Sequence, residues 1–83
     1  MAYKYPNLAA EMSRYGFDYG ELYENMAGQF KRSTDSLSNW ITGRAGDLPT
    51  SIAFAIRDQY FPECSVDYLF SEKPIVSDKV ANG

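Results

Sequence analysis

The chain has 83 residues, enough for one small domain, with 45% hydrophobic and 16% aromatic side chains and a formal net charge of −3. That composition can build a core and argues against disorder, while one cysteine and no histidine exclude an internal disulfide framework and argue against a zinc site. No apolar run reaches membrane-spanning length, and Met1 to Pro6 is too short and polar for a signal peptide. The expectation is a soluble, cytoplasmic protein that needs neither metal nor cofactor, with Cys64 a small core or loop residue.

The elements follow in chain order. Pro6 suits the first turn of a helix, where its missing N–H has no intrahelical partner; Leu8, Met12 and Tyr15 recur at helical spacing and Gly16 stops the helix. The first helix is expected over 6–15. Asp18 is a cap candidate with Glu21 three residues on, and Phe17 with Leu22 is placed for a hydrophobic staple. A second helix follows over 19–30, its apolar face carried by Leu22, Met26, Ala27 and Phe30. Ser33 caps a third, with Leu37, Trp40 and Ile41 as an apolar stripe and Gly43 as its end. After a loop with Gly46 and Pro49, Thr50 or Ser51 caps a fourth helix, with Ile52, Ala55, Ile56 and Tyr60 inward and Pro62 beyond it. Ser65 caps a short fifth helix over 66–70. From Ser71 the chain turns polar, a tail expected to fray over 71–83, where Ile75 and Val76 could add a short strand. The fold class is therefore all-α, a compact domain over 6–70 centred on Leu8, Met12, Leu22, Met26, Phe30, Leu37, Trp40, Ile52, Ile56, Leu69 and Phe70. With Trp40 largely buried, Trp40→Ala is expected to cost roughly 3–5 kcal/mol.

Two stretches carry a family resemblance. Ser33-Thr34-Asp35-Ser36-Leu37-Ser38-Asn39-Trp40-Ile41-Thr42-Gly43 is similar to the recognition-helix segment of the Cro/repressor-type (lambda repressor-like) helix-turn-helix family, S-x-x-x-hydrophobic-S-x-W-x-x-G. Ser65-Val66-Asp67-Tyr68-Leu69-Phe70 resembles the fifth-helix signature of the same family, at about the same separation. The likeness covers roughly 7–70. Ala27 falls where the family carries a small residue that lets the two helices of the motif approach. Three features depart from the pattern: the segment between Gly16 and Phe30 is about one helical turn longer, Lys31 stands where glycine often supplies the left-handed turn residue, and Arg32 replaces an apolar residue under the turn.

The resemblance implies sequence-specific binding of double-stranded DNA by a small transcriptional regulator of the phage or mobile-element type, working as a weak homodimer because one short helix reads too few base pairs. The positions that would face base edges are Thr34, Asp35, Ser38 and Asn39; Lys31, Arg32 and Arg44 would meet phosphates. The net charge runs against this, since nucleic-acid binding usually shows a basic footprint. Its distribution runs with it: Lys31, Arg32 and Arg44 face only Asp35 around the third helix, whereas Glu11, Asp18, Glu21 and Glu24 gather elsewhere against Arg14 alone. The competing reading is a protein-interaction module that keeps the helix-turn-helix fold and has lost DNA binding. An enzyme is not expected, because the usual bases and nucleophiles are scarce.

Overall fold

Side-chain and backbone caps set where the helices begin and end. A computed structural model describes residues 3–74. Among them lie α1 (Pro6–Tyr15), α2 (Tyr19–Phe30), α3 (Thr34–Thr42), α4 (Thr50–Tyr60) and α5 (Val66–Leu69), with no strand. The chain is all-α over this span. Ile75 and Val76, the expected strand, lie outside the described residues.

Asp18 accepts from the Gly20 N–H at 3.2 Å, Ser33 from the Ser36 N–H at 3.1 Å and Ser65 from the Tyr68 N–H at 3.1 Å. Each satisfies a donor that the first turn would leave unpaired. The fourth helix differs from expectation. Pro49, not Thr50 or Ser51, occupies the cap position and makes no side-chain cap bond; its carbonyl receives the N–H groups of Ile52 and Ala53 at 3.1 and 3.0 Å. Extended backbone at Pro49 already turns the chain into the helix, so Thr50 becomes the first helical residue. At the other end Pro62 disfavours helical backbone at Phe61, which leaves the helix at φ −137°.

The first three helices close the same way. At Gly16, Lys31 and Gly43 the backbone turns left-handed, with φ 69°, 57° and 85°. The next N–H then reaches back into the helix: Phe17 to the Met12 carbonyl at 2.9 Å, Arg32 to Ala27 at 3.0 Å and Arg44 to Asn39 at 2.8 Å. Two of these turns use glycine. The third, between α2 and α3, is made by a lysine.

The helices pack α2 on α3 and on α4, α4 on α5, and α5 on α1. Leu8, Met12, Leu22, Met26, Leu37, Ile41, Ile52, Ile56 and Leu69 fill the centre. Three expected core residues sit at its margin instead: Phe30, Trp40 and Phe70 are half-buried and pack against the cluster from outside. On α3 the stripe that points fully inward is Leu37 and Ile41, and Trp40 falls on its flank. Truncating Trp40 therefore costs less than burial at the centre would imply. Tyr5, Leu48, Ala53 and Phe61 take the vacated places. Tyr5 packs edge-on against Phe70, with centroids 5.3 Å apart, and its hydroxyl receives the Leu48 N–H at 3.2 Å.

One edge of the core is polar. Asn7 and Glu11, one helical turn apart on α1, are both buried. The Asn7 amide donates to the carbonyls of Tyr68 and Lys73 at 2.9 and 3.0 Å, capturing chain at and beyond the end of α5. The Tyr68 hydroxyl donates to Glu11 Oε2 at 2.7 Å, and Arg14 Nε lies 3.7 Å from Glu11 Oε1. Desolvation, followed by the Glu11 carboxylate it binds, pushes the Tyr68 phenol up to about 12.

Two predictions follow from this packing. A lysine in the left-handed region costs about 1–2 kcal/mol relative to glycine, offset in part by glycine's greater entropy when unfolded. Lys31→Gly should therefore stabilise the domain by up to about 1 kcal/mol, read from urea unfolding with unchanged helical circular dichroism. Tyr68→Phe should destabilise it by about 1.5–3 kcal/mol, because a buried carboxylate loses a charge-assisted donor. Since the folded phenol holds its proton more tightly than an unfolded tyrosine, the stability linked to Tyr68 is complete below about pH 10 and is lost as the pH rises from there toward about 12. Unfolding of the wild type across that window should show the decline, and Tyr68→Phe should shrink it.

Candidate nucleic-acid interface

Between the end of α2 and the start of α3 lie only Lys31, Arg32 and Ser33. So short a connection, turned by the left-handed Lys31, brings α3 directly back against α2. Buried Ala27, Met26 and Leu22 on α2 share the core with Leu37 and Ile41 on α3, which fixes the rotation of α3 about its own axis. Ser33 closes the first turn twice over, accepting from the Ser36 N–H and lying 3.0 Å from the Ser36 hydroxyl.

The residues singled out from sequence are distributed unevenly around this helix. Thr34 and Asp35 are exposed in the first turn of α3. Lys31 and Arg32 are exposed just before it, and Arg44 is exposed just after it. Ser38 and Asn39 are half-buried. Ser38 turns toward α2: burial and the nearby Tyr3 push the Tyr23 phenol up, and the Ser38 hydroxyl beside it pulls the other way. The Asn39 carbonyl receives the N–H groups of Arg44 and Ala45 at 2.8 and 3.1 Å, which fixes where the chain carries Arg44 past the helix. The exposed ends of α3 are thus polar and cationic, with Asp35 in the first turn beside Lys31 and Arg32.

Arg32 is not a loose side chain. Its guanidinium lies over the Trp40 ring, 5.8 Å from the centroid. In the sequence Arg32 stands out as a departure from the family pattern and Trp40 as an expected core residue, and nothing there joins the two. The eight-residue separation gives no helical pairing signal, because Arg32 stands outside the helix that carries Trp40.

Three other cations are engaged elsewhere. Lys4 Nζ sits 2.7 Å from Asp47 and 3.9 Å from Glu72. The hydrogen bond with Asp47 raises the lysine pKa and lowers that of the carboxyl. Arg14 stands beside Glu11, and Arg57 Nε is 2.8 Å from Asp58, in an ion pair without hydrogen-bond alignment. Among the described residues, Lys31, Arg32, Arg44 and Lys73 are the cations outside any ion pair, and three of these four flank α3.

An aromatic strip also packs along the N-terminal part of α2. Tyr3 stacks on Tyr19 with centroids 4.6 Å apart, and Tyr19 contacts Tyr23 at 5.9 Å. The backbone N–H of Lys4 donates to the Ile41 carbonyl at 2.9 Å, so the chain ahead of α1 is tied to the C-terminal half of α3. Among the described residues no group of histidine, cysteine, aspartate and glutamate could hold a metal ion, and no helix is long and apolar enough to cross a membrane. Compared with protein-family models, with curated proteins and with solved structures, the chain matches none.

Proposed function

We propose that this chain binds double-stranded DNA sequence-specifically, offering the exposed face of α3 to the major groove, as a small transcriptional regulator of the phage or mobile-element type. One observation carries the reading: among the described residues three of the four cations outside any ion pair, Lys31, Arg32 and Arg44, stand at the two ends of one helix, whereas Lys4, Arg14 and Arg57 are paired with carboxylates. Free guanidinium and ammonium groups at both ends of a short polar helix suit two stretches of phosphate backbone. Between them Thr34 and Asp35 would face base edges, with Ser38 and Asn39 at the margins of the contact. The regulator class rests on the resemblance of Ser33–Gly43 and Ser65–Phe70 to the Cro/repressor-type family.

Two positive side chains just before α3 oppose its dipole, so Lys31 and Arg32 cost the isolated protein a little stability. A phosphate between them would remove that conflict. Asp35 is the observation that favours the alternative, a protein-interaction module on the same fold: an exposed carboxylate repels phosphate, yet it can also accept from a cytosine amino group.

In vitro selection from random duplex DNA at low salt should enrich a defined site. On that site Arg32→Ala should weaken binding about equally for all sequences and lower the slope of log affinity against log salt by about one unit. Thr34→Ala, and to a smaller extent Ser38→Ala, should relax preference at particular base pairs by about 1–3 kcal/mol for a good contact. No enrichment at low salt, together with an Arg32→Ala protein indistinguishable from wild type, would transfer the reading to the protein-interaction module. Sedimentation with and without the selected duplex should show a monomer alone and two chains on a two-fold site; one chain on an asymmetric site would exclude the dimer.

A further inference from the structure

We infer that Trp40 is a positioning residue for Arg32, its indole holding the guanidinium at the head of α3 so that the edge of the fork is presented to a DNA phosphate. The inference rests on the DNA-binding reading and adds to it a side chain whose part is played through another. Three features converge. The Arg32 backbone is fixed by its N–H bond to the Ala27 carbonyl at 3.0 Å, across the left-handed Lys31. Its side chain has no carboxylate within ion-pair distance among the described residues, so the aromatic ring is what locates it. And the flank of α3 is shaped for the contact: helical side chains lean toward the N-terminus, and one turn ahead of Trp40 stands Ser36, small, half-buried and tied to Ser33 at 3.0 Å.

A guanidinium held over a ring by cation–π attraction spends none of its N–H donors on a carboxylate and keeps them for phosphate oxygens. An unrestrained arginine loses most of its rotamer freedom when it binds; one already held over a ring loses less, so affinity is gained without a new contact. The contact also suits an exposed arginine at this position: the ring holds the side chain while the charge stays in solvent.

The test is a binding cycle on the selected duplex, using wild type, Arg32→Ala, Trp40→Leu and the double variant. Arg32→Ala should cost about tenfold in affinity at moderate salt, as loss of one phosphate contact does. Trp40→Leu should cost a comparable factor, and the double variant no more than Arg32→Ala alone, because Trp40 acts through Arg32. Trp40→Phe, which keeps an aromatic face, should retain most of the wild-type affinity. Independent, multiplicative losses, or a folded Trp40→Leu protein with wild-type affinity, would overturn the inference and leave the DNA-binding reading intact. Should Trp40→Leu fail to fold, the single tryptophan of the chain serves as the probe. Its emission should shift when wild type is saturated with duplex and stay fixed when Arg32→Ala is saturated; an unchanged wild-type emission would overturn the inference. Wild type that binds no duplex at all would remove both the reading and the inference.

Discussion

The left-handed backbone at Lys31 is the constraint on which the geometry of α3 depends. Only there does the chain turn from α2 into α3, and only a residue with positive φ lets the Arg32 N–H reach the Ala27 carbonyl. The cost of placing a side chain in that region, about 1–2 kcal/mol, is opposed by the burial that follows from it. Leu37 and Ile41 meet Leu22, Met26 and Ala27 in one core because the chain turns back here. Ala27 matters by being small: a longer side chain would hold the two helices apart. At Gly16 and Gly43 the same motif is built at no steric cost, which makes the lysine the exception to be explained.

The rest of the molecule holds α2 and α3 from behind. Asn7 ties α1 to the chain at and beyond α5, and Glu11 binds Tyr68 from the same face of α1. Such an edge is costly to build, because a buried carboxylate and a buried amide must both be satisfied. It also permits little sliding, since a shift of α5 along α1 would break the Asn7 and Glu11 bonds together. The N-terminal strap adds a second restraint. Lys4 joins the Ile41 carbonyl through its backbone and Asp47 through its side chain, so the end of α3 and the following loop are held by one residue. A helix positioned at both ends by its neighbours can present side chains with little further ordering, which any specific recognition by α3 would exploit.

Much of this was legible in the residues. Pro6, Gly16, Asp18, Ser33, Gly43 and Ser65 are strong local signals, and the helix limits they imply agree with the structure to within a residue. What was not legible depends on packing at a distance. Tyr5, Leu48 and Phe61 lie outside the helices, where no periodicity identifies a buried face, and each is buried through contacts made far along the chain. Trp40, Phe30 and Phe70 read as core because large aromatic residues on an apolar stripe usually are; a small domain cannot enclose them all, and they form its margin instead. The residues of the proposed interface were legible as a set. The differences within that set were not: Ser38 leans toward Tyr23, and Arg32 lies on Trp40, because both contacts cross between elements.

The acidic balance of the chain bears on affinity more than on the kind of partner. Net charge acts over distances that salt screens, about 8 Å at physiological ionic strength, whereas a phosphate contact is made at the surface by individual cations. On the DNA-binding reading, Lys31, Arg32 and Arg44 supply the grip and the carboxylates elsewhere weaken long-range attraction. The expected behaviour is modest affinity with steep salt dependence. Asp35 then acquires a role that a neutral residue could not have. Standing exposed in the first turn of α3, beside Lys31 and Arg32, it penalises any register that brings a phosphate onto that turn. Registers that place a base-pair edge there are penalised less, and those offering an amino group least. A weak grip with a repulsive group beside it discriminates by rejecting wrong placements, so an acid in the first turn of the reading helix can raise specificity while it lowers affinity.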